Sequence, residues 1–390
     1  MFTKSVINVI GCMAVAALLL PTLSGCAASD QDVGMADDNE PIRFLVADDD
    51  GPLTRGTYET AKLFKNYSIY SFLGFAQRLY VGNVLMNKDD DGNWHSNRTI
   101  SFPGKNAVDF YAMKPGFVRD DVKNLTMTYA EKSFVHTLPN TNGKQVDFMI
   151  SSLLEKTKEE TGGTLLFKFK HLFSYLRFVG KVNKEGLNVK VHSLTIHNIK
   201  STGKFTFSNT LERDGSWELG DEQDNYTFVL PEDRDLTAKN ALIHTTDSML
   251  FVMSQVPEVF ILSDNTSFAD ADADGARKAY LEIECRLWKM KDDGNGGEVP
   301  EYIGCEADTW AKVYYPMAAT TKWQTASAPY SGTYNVMFDF TGGYTYEGED
   351  FLEKHTSGSM RMTSVEPVQS FLVVDPWTDD DTNSVTIEME

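Results

Sequence analysis

Histidine and cysteine are scarce in this chain, seven and four in 390 residues. No His-Glu-x-x-His stretch and no zinc-type Cys–His spacing occurs. A Gly-x-Ser-x-Gly nucleophile turn and a phosphate loop are also missing, so the common hydrolase and nucleotide-binding chemistries have no foothold. Positive charge is in short supply. Lys and Arg total 36 against 56 Asp and Glu, a net charge of −20. That balance excludes nucleic acid as a partner, because binding it needs clustered cations. Helical periodicity is sparse and no solenoid-length repeat is visible. Beyond residue 26 no apolar run reaches the ~20 residues that span a bilayer.

The remaining chemistry-bearing residues resolve into structural roles. His95, His136, His244 and His355 sit in no motif. His192 and His197 are five apart in strand-like sequence and point to opposite faces. His171 follows a Phe-Lys-Phe-Lys alternation and reads as a packed core histidine. Asp270-Ala-Asp272-Ala-Asp274-Gly275 begins like a calcium loop. Its twelfth position is Leu281, where a bidentate Glu is needed, so it reads as a solvated acidic turn. No catalytic residue, metal or cofactor is expected, and the chain reads as a non-enzyme.

What is present begins with a leader. One positive charge, Lys4, precedes an apolar run from Val6 to Leu20, and Leu23-Ser24-Gly25-Cys26 follows. This is the order of a secretory signal. Its last four residues resemble the bacterial lipobox, in which the Cys is acylated and becomes residue one of the mature chain. Residues 1–25 are therefore expected to be a signal peptide and Cys26 the lipid anchor to an outer membrane. Residues 26–40 are small, polar and acidic, a flexible tether reaching at most about 50 Å. Asp30 and Asp32 within it resemble the acidic export tag of surface lipoproteins in the Bacteroides group.

The rest reads as strand after strand. Alternation marks Ile42–Val46, Tyr67–Phe72, Val108–Met113 and Leu187–Ile196. An aromatic-rich strand region covers Thr164–Val182. Further strands are expected at Met249–Val256, Tyr280–Trp288, Trp310–Tyr315, Tyr334–Phe340 and Phe371–Val374. Turn clusters such as Asp89–Asn93, Asn140–Gly143 and Gly342-Gly343 separate them, as in β-sandwiches. Ser151–Glu160 is the best short helix candidate, and the charged stretch 155–163 reads as a connector. Domains are thus expected at 41–158 and 159–390, each an all-β two-layer core. Cys285 and Cys305 flank the loop Lys291–Glu298, centred on residue 295. A hairpin would set them face to face, which makes them a candidate disulfide outside the cytoplasm.

Several patterns in order resemble the fimbrillin family of Bacteroidales, the subunits of type V pili and their accessory proteins. They are Ile42–Val46 followed by Leu53-Thr-Arg-Gly-Thr57, then Phe64–Tyr70, then Trp94, Phe102-Pro103 and Val108–Ala112. Leu166–Leu172 leads to Leu176-Arg-Phe178. Trp323 stands before Tyr334–Phe338, and Val374-Asp-Pro-Trp377 follows. The resemblance implies two tandem β-sandwich (transthyretin-like) domains and export as a lipoprotein. It also implies cleavage beyond the first strand, here between Arg55 and Gly56. That strand, with Ile42, Phe44 and Val46 on one face, would leave a groove for the C-terminal strand of the next subunit. Val385, Ile387 and Met389 share a face and qualify as that donor. The implied partners are other fimbrial subunits, the outer membrane through the lipid, and host or bacterial surface ligands. A rival reading is a surface glycan-binding lipoprotein of the same architecture, with Trp94, Trp217, Trp288 and Trp310 as stacking platforms.

Overall fold

Alternating apolar residues bounded by turns build strands throughout the computed structural model. It describes residues 40–47, 65–120, 122–210, 214–239, 241–243, 250–273, 275, 277–324, 332–356, 360 and 365–372. All of these lie in one unit, Asp38–Glu390.

Three sheets form the first part. Strand β1 (Arg43–Val46) runs parallel to β9 (Thr164–Phe167) in a two-stranded sheet. A six-stranded sheet has the order β10 (Lys170–His171), β8 (Met149–Lys156), β5 (Val108–Lys114), β2 (Asn66–Leu73), β3 (Arg78–Lys88) and β4 (Trp94–Ser96). A four-stranded sheet runs β14 (Gly215–Leu219), β13 (Thr202–Phe207), β7 (Lys132–Thr137) and β6 (Val122–Met127). The six-stranded sheet is the middle layer. Tyr67, Ile69, Phe110 and Ala112 face one core with Ile42, Phe44, Leu165 and Phe167. Phe72, Tyr111, Met113 and Ile150 face the other, with Phe134, Phe205 and Phe207. Burial on both faces explains why β2 and β5 are buried almost without interruption along their lengths, Ser68 and Ser71 included.

Two five-stranded sheets form the second part. One has the order β16 (Ala241–Leu242), β11 (Ser174–Val182), β21 (Gly332–Phe340) and β22 (Gln369–Leu372), with β17 (Leu250–Val252) also on β11. The other has β15 (Gln223–Leu236), β12 (Asn188–Lys200), β18 (Tyr280–Asp292) and β19 (Glu298–Tyr302), with β20 (Ala311–Pro316) also on β18. They face each other through ring pairs such as Phe178–Phe228, 5.6 Å apart, and Tyr315–Phe340, 5.8 Å. The all-β class expected from the alternation is what the chain adopts. Its helices among the described residues are single turns: α1 (Lys158–Thr161), α2 (Phe268–Ala271) and α3 (Phe351–His355).

Two expectations need correction, and ladders are also seen to cross the 158/159 boundary. Ser151–Glu160 is mostly strand: β8 runs to Lys156, paired along its length with β5, and only α1 is helical. A strand seated between partners overrides weak local helix propensity. The boundary at 158/159 is no break in hydrogen bonding. β9 pairs back to β1, β10 to β8, and β13 to β7. Unpaired backbone groups at those edges would otherwise be left open, so both sides of that boundary complete each other's sheets. Asp270-Ala-Asp272 is not a wholly solvated turn. Asp270 closes a capping box with Ser267 at the start of α2. Asp272 is half-buried and accepts Asn198 Nδ2 at 2.6 Å, Tyr280 OH at 2.9 Å and Tyr346 OH at 2.6 Å.

That hub yields a prediction. Replacing Asp272 with Ala removes the acceptor of the Tyr280 and Tyr346 hydroxyls at the rim of the small Phe260–Phe268–Tyr280–Tyr314 cluster, while Asn198 Nδ2 keeps Ala271 O and Lys278 O, each at 3.3 Å. Hydrogen bonds to a charged acceptor contribute about 1.5–3 kcal/mol, and orphaned donors cost more. Urea denaturation of Asp272→Ala is expected to show a loss of about 3 kcal/mol, with Asp272→Asn recovering part of it.

Candidate functional site

The seat of β1 is built from three pieces of chain. Ile42 N donates to Ile100 O at 2.7 Å, and Pro41 bridges Ser101. Arg43 N donates to Gly163 O at 2.8 Å and Ala47 N to Phe167 O at 2.8 Å, framing the parallel ladder to β9. Ile42 and Phe44 are buried, at 6% and 5% exposure, and Val46 packs half-buried beside them. The Phe44 ring lies parallel to Phe167, centroids 6.3 Å apart, and edge-on to Phe110 at 6.4 Å. Leu45 and Leu166, directly opposite in register, face outward at 40% and 45% exposure. Burying a large apolar side chain stabilises by about 1.5–3 kcal/mol, so Ile42 and Phe44 together contribute roughly 3–6 kcal/mol. β9 has β1 as its partner strand in this sheet. Withdrawal of β1 would uncover both a ladder edge and an apolar trough.

Sequence reasoning identified Ile42, Phe44 and Val46 but not their partner. Leu165 and Phe167 share their alternation with β1, a signal that marks a strand without saying which strand it will join. Cys26, Arg55, Gly56, Val385, Ile387 and Met389 lie outside the described residues.

Cys285 and Cys305, the candidate disulfide, are both thiols in this structure. The ladder of β18 and β19 pairs Trp288 with Tyr302 and Asp292 with Glu298, so its turn is centred on residue 295 as the spacing implied. Before the ladder reaches Cys285, β20 takes over that position through Ala311. Cys285 is fully buried, and burial pushes its thiol up.

The four tryptophans of the rival reading are engaged. Trp217 packs against Phe205 and Phe173, and its Nε1 donates to Leu172 O at 2.8 Å. Trp310 stacks on His192 at 4.6 Å, with the Arg286 guanidinium 3.9 Å from its centroid. Trp94 meets Tyr67 edge-on at 4.8 Å, and Trp288 lies 6.3 Å from Tyr302.

The buried ionisable groups are interior hydrogen-bonding pairs. His171 Nδ1 lies 2.7 Å from Asp147 Oδ2, both buried. Lys114 is buried nearby; burial lowers its ammonium to about 8, against the opposing pull of the Asp147 carboxylate. Glu282 is held by His197 Nε2 at 3.2 Å and Lys312 Nζ at 2.8 Å. Burial alone would push the Glu282 carboxyl up. The hydrogen bonds from His197 and Lys312 outweigh it and hold the group below its ordinary value of 4.5. The unfolded chain therefore binds this proton more readily than the folded one. Its stabilisation is complete above about pH 4.5 and is lost as pH falls through the lower folded value. Thermal melts of Glu282→Gln are expected to show a shallower loss of Tm below pH 4.5 than the parent, and a lower Tm at pH 7. No group of three or more His, Cys, Asp or Glu that could hold a metal occurs among the described residues. None of their helices is long and apolar enough to cross a membrane.

The described residues form an all-β fold in which β1 docks on β9. Comparison supports this likeness. The structure of a fimbrial protein from Bacteroides vulgatus superposes with a TM-score of 0.51 at 12% identity, covering 87% of this chain and all of that one. Proposed cell adhesion proteins from Parabacteroides distasonis (TM-score 0.41, 13% identity, 85% and 96% covered) and Bacteroides uniformis (0.38, 13%, 88% and 100%) resemble it more loosely. No curated protein sequence matches the chain. The fimbrillin-like family model matches residues 55–268, more than half of the chain. The chain belongs to the fimbrillin-like family.

Proposed function

We propose that this protein is a structural, adhesive subunit of a cell-surface fimbria, assembled by exchange of β-strands. It is exported through the residue 1–25 signal and lipidated on Cys26. Cleavage between Arg55 and Gly56 then releases the segment that carries β1. The trough over Phe110, Leu165 and Phe167 receives the C-terminal strand of the next subunit. Membership of the fimbrillin-like family supports this reading. The observation that carries it is the seat of β1: a four-residue strand that buries Ile42 and Phe44 while holding a ladder with β9.

The energetics suit an exchange. Ile42, Phe44 and Val46 leave, and Val385, Ile387 and Met389 of a neighbour enter, three apolar side chains for three. Backbone donors and acceptors uncovered on β9 are paired again by the incoming strand. A polar leash, Asp379–Asn383, precedes the donor and gives it reach. Gly51, Pro52 and Gly56 around Arg55 have turn and loop chemistry, where proteolytic cleavage concentrates.

Limited trypsin treatment of the purified precursor tests this. Selective cutting after Arg55, followed by a ladder of oligomers resistant to mild detergent, is the expected result. Cut protein that stays monomeric at micromolar concentration would refute assembly by exchange.

A further inference from the structure

A cleft of about 890 Å³ opens on the opposite face of the six-stranded sheet from β1. That is within the ~300–1,000 Å³ of small-molecule sites. Its walls come from the turn after β2, the ends of β5 and β8, the turn between β6 and β7, and the residues after β13. Phe75, Asp109, Tyr129, Lys132, Glu155 and Asn209 line it.

The wall is built around a buried cation. Lys132 is only 2% exposed, and its ammonium lies 4.9 Å from the Phe72 centroid, 5.1 Å from Tyr111 and 5.3 Å from Tyr129. It donates to Tyr129 O at 2.7 Å and to Asn209 Oδ1 at 2.7 Å. Those contacts spend the positive charge inside the wall. They also fix the amide of exposed Asn209: with its oxygen held by Lys132, its nitrogen is left as a donor pair unengaged among the described residues.

The wall formed by β5 and β8 is bent at a bulge. A β-bulge separates Val108 from Phe110 in the pairing with β8. There Asp109 Oδ1 accepts Glu155 N at 2.8 Å, and Glu155 has φ +55°. A non-glycine residue in the left-handed region beside a bulge marks a place where backbone geometry is given up to direct side chains. At the rim, Phe75 is 58% exposed at the tip of the turn between β2 and β3.

We propose that this cleft binds a short neutral oligosaccharide. The apolar C–H face of one sugar ring packs on Phe75. Hydroxyls, each donor and acceptor, bridge the Asp109 and Glu155 carboxylates and the Asn209 amide. The Asp109 carboxylate interacts with the Lys132 ammonium, and Glu155 adds a second acid to the lining, which disfavours anionic ligands. A concave wall of mixed polarity fits a saccharide better than a flat protein epitope. The inference rests on the adhesive reading above, for which it supplies the ligand class. It is independent of the four tryptophans.

The test is a panel of neutral and anionic oligosaccharides of about two to four units, titrated by calorimetry into the purified protein, with Phe75→Ala and Asn209→Asp as variants. At least one neutral glycan is expected to bind, with affinity falling ten-fold or more in Phe75→Ala and the melting temperature unchanged. Asn209→Asp, which replaces the donor pair with acceptors, is expected to weaken the same glycan. The proposal is overturned if no neutral glycan binds, if only anionic glycans or proteins bind, or if binding survives both substitutions. Trypsin-induced laddering of Phe75→Ala is followed in parallel. Laddering without glycan binding removes this cleft alone, and glycan binding without laddering removes the fimbrial reading alone.

Discussion

Removing residues 384–390 is expected to leave a subunit that is exported and cut but does not polymerise. The truncated chain keeps its own trough and loses Val385, Ile387 and Met389, the side chains proposed to fill a neighbour's. Laddering after trypsin should fall at least ten-fold. A synthetic peptide of residues 379–390 should bind the cut, truncated protein and block what assembly remains. Arg55→Ala is the complementary variant. Its donor strand is intact, but β1 stays seated, so it too should remain monomeric. Truncated protein that ladders like the parent, measured by gel electrophoresis and light scattering, would end the donor assignment and leave the fold untouched.

A second large effect separates the precursor from the assembled form. Phe44 is 5% exposed and stacked on Phe167. Its truncation to Ala costs about 3–5 kcal/mol, by lost burial and the cavity left behind. Phe44→Ala should therefore melt well below the parent as a precursor. Once cleavage has removed residue 44, variant and parent polymers are the same molecule and should melt together. A strand held only as an ordinary sheet edge would instead keep the deficit in every form. The same variant should assemble at least as fast, since weakening β1 lowers the cost of vacating its seat. Calorimetry before and after trypsin, with the time course of laddering, checks both statements.

Period-two alternation located Ile42–Val46, Tyr67–Phe72, Val108–Met113, Tyr280–Trp288 and Tyr334–Phe340, and these are β1, β2, β5, β18 and β21 in whole or part. Strands without that pattern were missed. β15 continues through Pro231-Glu-Asp-Arg-Asp235, a run that local propensity assigns to a loop. It is tolerated because β15 ends its sheet, and because its register against β12 shifts between Val191 and Ser193. β3 carries Gly82 and Asn83, the latter with φ +42°, which interrupt the alternation in its middle. The cleft was invisible for a related reason. Asp109 and Glu155, or Lys132 and Asn209, meet only because bulges and turns from separate strands converge.

Local pattern alone determined that this chain is all-β, that its first strand has one apolar face, and that residue 295 centres a hairpin. Each of these is a property of neighbouring residues, set by the alternation of side chains along an extended backbone. Tertiary structure alone decided that β1 lies parallel to β9, that β11 lies parallel to β21, and that β13 joins β7 across the expected domain boundary. A strand advertises an apolar face and unpaired backbone groups, and many partners satisfy both equally. Which one is chosen depends on how the whole set of edges and faces closes together, and no single stretch of residues encodes that.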